Sequence, residues 1–235
     1  MDAKLASALL FAALSGAMIP LGGLLGLRLR GLPKSALRFT IALGGGALLG
    51  AVALVLLPDG IERTSAWLAP ALFATGGVLF MILDFAIERA GGHLAQFLSL
   101  ALDAIPESLA IGAVAATGGG AGMYLALLVG VQNAPEGFNA VRELTRAGLS
   151  GAKAVGALAF VALLNPVGAY VGFVFLAGAP AVLGAVFLVA AGGITYLLFH
   201  DIAPQAHPEG HWIPTLGAIL GFAIAIVGQQ LGGGA

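Results

Sequence analysis

Two short stretches of this 235-residue chain place acids among apolar residues. "LDAIPESLAIG" (102–112) carries Asp103 and Glu107, and "VQNAPEGFNAV" (131–141) carries Gln132, Asn133 and Glu136. Asp103 and Glu107 are four residues apart, as are Gln132 and Glu136, so on helices each pair shares one face about one turn apart. A proline precedes each glutamate. Pro106 and Pro135 lack an N–H, which leaves the carbonyls of Leu102 and Val131 without their helical donor. Carboxylates, amide oxygens and freed carbonyls are hard donors, and at this density they suit a divalent cation. The competing explanation is a hydrogen-bonded knot that only ties two helices together. Three carboxylates with no basic residue in either stretch fit that poorly.

The elements that must position these residues are membrane helices. Hydrophobic residues make up 60% of the chain and charged ones 9%, far from the ~45–50% and ~25% of soluble domains. The mean hydropathy is +1.03. Gly, Pro and charge divide the chain into apolar spans near 4–27, 37–57, 66–87, 95–116, 121–145, 151–174, 179–203 and 212–231. This predicts an all-α polytopic protein of eight transmembrane helices, one domain over 1–235, in the cell membrane. Arg28, Arg30, Lys34 and Arg38 follow the first span, Arg89 the third, and Arg142, Arg146 and Lys153 flank the fifth connection. Even-numbered connections carry only Arg63, so the positive-inside rule puts odd connections in the cytoplasm and both termini outside. An apolar run this long near the start reads as a span rather than a cleaved signal. Glu107 and Glu136 fall at similar depth on antiparallel neighbours, where they can meet. The cysteine count is zero and the net charge −1, which exclude a disulfide framework and offer nothing to nucleic acid.

The paired motifs resemble the fourth and fifth helices of the ZIP (Zrt/Irt-like) divalent metal transporters, with "DAIPES" and "QNAPEG" in the places of His-Asn-x-Pro-Glu-Gly-type sequences. "GGGALLGAVALVLLPDG" is similar to that family's second helix, "LLNPVGAYVG" to its sixth and "AGGITYLLFHDIAPQAH" to its seventh. The resemblance implies a homodimer whose helices 1, 4, 5 and 6 carry metal and slide, elevator-like, against a scaffold of helices 2, 3, 7 and 8. It implies one metal held by Asp103, Glu107, Gln132 and Glu136. Where relatives have an asparagine and an acid, this chain has Ala104 and Asn165, so a second site would keep only Asn133 and Asn165 as weak or water-mediated partners. His200 and Asp201 match positions near the cytoplasmic exit. With Asp103 in place of the usual histidine, Mn²⁺, Fe²⁺ or Cd²⁺ join Zn²⁺ as expected cargo. The metal is substrate, and no cofactor is expected.

Other features have plainer readings. The 37 glycines let helix backbones approach closely, and their smooth surfaces are also compatible with sliding. Asp84 and Glu88, with Arg89 beside them, suggest a salt bridge at the membrane edge. His207, Glu209 and His211 are solvated loop residues or a loose metal site. "GLSG" (148–151) matches the Gly-x-Ser-Gly of intramembrane serine proteases, but Ser150 sits between Arg146 and Lys153 with no histidine placed to activate it. No enzyme is predicted. The alternatives to a transporter are a metal-binding membrane sensor or structural protein without flux, and a channel for another small solute.

Overall fold

A computed structural model describes residues 3–29, 31–90, 92–118, 120–206 and 212–232. Among them the backbone is helical, with no strand. Adjoining helical segments form eight rods: α1 Ala3–Arg28, α2 Lys34–Glu62, α3 Leu68–Ala90, α4 Gly92–Thr117, α5 Ala121–Arg146, α6 Gly151–Leu176, α7 Pro180–Ala206 and α8 Ile213–Gly232. Their bounds follow the apolar spans of the sequence within a few residues. Among the described residues, six of the rods are long and apolar enough to cross a membrane. α4 and α5 are each 26 residues long, as long as α1, and both carry the polar motifs.

Proline shapes the rods unequally. α4 and α5 run unbroken through Pro106 and Pro135. In α6 the helix breaks at Leu163 and restarts before Pro166, whose missing N–H leaves the Ala162 carbonyl to be met by the side-chain nitrogen of Asn165 at 3.4 Å. α2 and α7 contain widened π-helical turns at Val52–Leu56 and Leu198–Ile202, a few residues ahead of Pro58 and Pro204. In α2 the Leu54 carbonyl accepts from Gln229 Nε2 of α8 at 3.5 Å.

Glycine decides which rods pack tightest. A methyl group at Gly137 of α5 would fall on the Ile19 carbonyl of α1, and one at Gly172 of α6 on the Leu109 carbonyl of α4. On the other side, Gly221 of α8 faces the Leu43 carbonyl of α2, and Gly192 of α7 the Phe73 carbonyl of α3 in the same way. Among the described glycines, every backbone approach this close lies within the set α1, α4, α5, α6 or within the set α2, α3, α7, α8. These contacts bind the helices within each set. Only backbone approaches of this kind are confined to one set, while side chains of α5 reach Gly44 and Gly228 across the boundary between the two.

Apolar side chains complete the packing in two clusters. One, around Ile19, Leu100, Val141, Leu144 and Leu158, draws only on α1, α4, α5 and α6. The other joins both sets through Val52, Ile111, Leu125, Leu128, Phe187 and Ala225, among others. Trp67, between α2 and α3, and Trp212, between α7 and α8, stand 89% and 83% exposed. Indole rings at such positions suit a membrane–water interface. The turn at 148–151 also has a structural job, because the Ser150 hydroxyl caps α6 by accepting from the Lys153 N–H at 3.4 Å.

Candidate metal cavity

A cavity of about 270 Å³ lies between the two sets of helices. α4 contributes Glu107 to its lining, α5 contributes Gln132, Glu136, Asn139 and Glu143, α3 contributes Asp84 and Glu88, and α7 contributes Asp201 and Gln205. Glycines and aliphatic side chains of α2, among them Gly44 and Leu48, form its other wall. At one end it reaches the exposed Glu88 and Gln205, near the last turns of α3 and α7. The opposite end stops at the apolar cluster shared by both sets of helices.

Among the described residues the lining contains six carboxylates, from Asp84, Glu88, Glu107, Glu136, Glu143 and Asp201, and no Lys, Arg or His. Glu107 and Gln132 are each only 4% exposed. One turn of α5 lets Gln132 donate through Nε2 to Glu136 Oε2 at 2.9 Å, which fixes the amide. Gln132 Oε1 is buried without a hydrogen-bond partner. A buried acceptor in that state is costly, and a cation or an ordered water would relieve it.

The structure thus brings Glu107, Gln132, Glu136 and Asp201 to one cavity. The side chain of Asp103 lies outside the described residues, as do His207, Glu209 and His211. Among the described residues no three His, Asp or Glu side chains converge closely enough to hold a metal by themselves. Asn133 and Asn165 are absent from the lining. Asn133 donates through Nδ2 to the Ser15 carbonyl of α1 at 2.9 Å and is 2% exposed. Asn165 is fully buried where α6 meets Gly16 of α1, and its Oδ1 has no hydrogen-bond partner. α5 and α6 therefore clasp consecutive residues of α1, Ser15 and Gly16, with neutral amides.

Beside the cavity, Asp84 is the residue that sequence reasoning underrated. In place of the salt bridge expected from Arg89, its Oδ2 accepts from the Tyr196 hydroxyl at 3.1 Å and lies 3.4 Å from His200 Nε2. The Tyr196 and His200 rings stack with centroids 5.1 Å apart. Arg89 lies over the Phe85 ring, 4.4 Å from its centroid. Tyr196 and His200, four residues apart on α7, were the sequence signal for such a partner across from α3.

These features define a multi-pass membrane protein with an acidic cavity buried among its helices. No family model matches the chain. It is similar to the zinc transporter GufA of Myxococcus xanthus, 30% identical over 132 residues that make up 55% of this chain and 52% of that protein. The chain spans about half the length of the curated relative it matches.

Proposed function

We propose that the protein moves divalent metal cations, Zn²⁺, Fe²⁺, Mn²⁺ or Cd²⁺, across the membrane toward the cytoplasm. One observation carries this reading: six carboxylates line a cavity to which no described residue brings a basic side chain. Such a cavity favours dications, repels anions and has the oxygen donors that replace a hydration shell. Similarity to a zinc transporter supports the choice of cargo.

In this reading the cargo is held by Glu107, Gln132 and Glu136 with Asp103 as the fourth ligand. Glu136 has a double part, binding the metal and holding the Gln132 amide so that Oε1 stays available. Asn133 and Asn165 support the site by fixing α5 and α6 on α1. Asp201, with His200 and Asp84 beside it, offers a second stop on the way to the mouth. The Lys and Arg distribution assigns that mouth to the cytoplasm and both termini to the outside.

α1, α4, α5 and α6 form the moving body and α2, α3, α7 and α8 the scaffold, the latter pairing in a homodimer. Interlocked glycines within each set support two rigid bodies, and side-chain packing between them leaves a surface that can part. The test is flux into vesicles containing a trapped metal-sensitive dye. Saturable uptake that a second dication inhibits is expected. Tight binding without flux would reduce the protein to a sensor, and unsaturable flux to a channel.

A further inference from the structure

The far side of the cavity is closed by the apolar cluster that joins both sets of helices, and one polar side chain sits in it. Tyr124, on the first turn of α5, is 5% exposed and belongs to that cluster. Its hydroxyl donates to the Ala225 carbonyl of α8 at 2.6 Å. Its ring fills the space that a side chain at Gly228 would need, one turn further along α8. Ala225 in turn rests on Gly50 of α2, within the interlocked α2–α8 pair. The bond therefore runs from one set of helices to the other. Along α5, Tyr124 lies about 12 Å from Gln132 and about 28 Å from Glu143 at the mouth.

We infer that Tyr124 is a latch that holds the far side of the cavity shut while the mouth is open. The inference rests on the two-body reading above. Parting the bodies at the Ala121 end must separate this hydroxyl from its carbonyl. A phenol in an apolar plug is stabilised only while paired, so the bond biases the protein toward the state seen here. Gly228 is what admits the ring.

The chain has no cysteine, so one introduced thiol reports alone. Leu128→Cys puts a thiol in the plug, and Leu48→Cys puts one in the cavity wall. Vesicles containing the full chain are exposed to a membrane-impermeant maleimide from either face. Adding Tyr124→Phe should raise the reaction rate at position 128 from the Ala121 face about fivefold, the population change expected for one net hydrogen bond. Labelling at position 48 from the mouth should stay within about twofold, because the present state still dominates. Gly228→Leu should open the plug further, and Tyr124→Phe still decides the matter if that variant does not fold. An unchanged rate at position 128 overturns the latch, and so does an equal rise at both positions, which would mean general loosening. If position 48 reacts equally from both faces with Tyr124 intact, both the latch and the two-body reading are lost. A labelling shift without metal flux would keep the latch and remove the cargo.

Discussion

Gln132 and Asn133 are neighbours of the same chemical type, yet the two faces of α5 use them oppositely. On the cavity face, Gln132 spends its nitrogen on Glu136 and leaves its oxygen without a partner. On the α1 face, Asn133 spends its nitrogen on the Ser15 carbonyl, next to Gly137, whose missing side chain lets α1 approach. One face leaves an acceptor open toward the cavity and the other excludes everything but a helix. The comparison teaches that a leftover acceptor points to a site only where it faces a cavity, since Asn165 Oδ1 is equally unpartnered but lies against α1. A polar residue inside a membrane helix otherwise serves packing, where a hydrogen bond to a neighbour's backbone is worth more than a side chain that fits lipid.

The comparison can be broken most decisively on the cavity face. Glu136→Gln and Glu107→Gln should each lower metal flux by more than about 100-fold, beyond the loss typical of outer partners of a metal, while thermal unfolding in detergent stays unchanged. Near-normal flux in either would empty the cavity of its assigned role. On the α1 face the order reverses. Gly137→Ala drives a methyl into the Ile19 carbonyl and should cost about 1–3 kcal/mol of stability, measured by denaturant unfolding in micelles.

Asn133→Asp sharpens the contrast further. A carboxylate would face a carbonyl oxygen now bonded at 2.9 Å, so stability should fall by about 1–3 kcal/mol while metal stoichiometry stays the same. A second bound metal per chain by calorimetry would instead show that this face can become a site. The smallest effect is expected at Asp103. Asp103→His should shift competition by a few-fold toward Zn²⁺ over Mn²⁺, because imidazole favours the softer ion. An unchanged ratio in paired-metal uptake would remove Asp103 from the ligands.

Most of the architecture was legible because lipid allows few solutions. Long apolar runs broken by Gly, Pro and Arg must be helices, and all eight runs became rods. That Glu107 and Glu136 meet at one cavity was legible because a carboxylate deep in such a run needs a polar surrounding. Asn133 and Asn165 were not, since spacing along one helix cannot say which neighbour lies against each face. Asp84 was misjudged for a similar reason: Arg89 is close in sequence, whereas Tyr196 is 112 residues away and meets it only after α3 packs on α7. Glycine was legible in part. Its abundance announced close packing, but not whether the packed surfaces hold or slide.

The two tryptophans have a consequence for the proposed motion. Trp67 and Trp212 are the chain's entire complement of indoles, and they occupy the α2–α3 and α7–α8 connections. In a bundle whose helices alternate in direction, the second and seventh connections face opposite sides of the bilayer. α2, α3, α7 and α8 are thus moored at both water boundaries, like a post fixed at floor and ceiling. The other four helices carry no indole to drag through the headgroups, so in the proposed motion they are the half left free to travel.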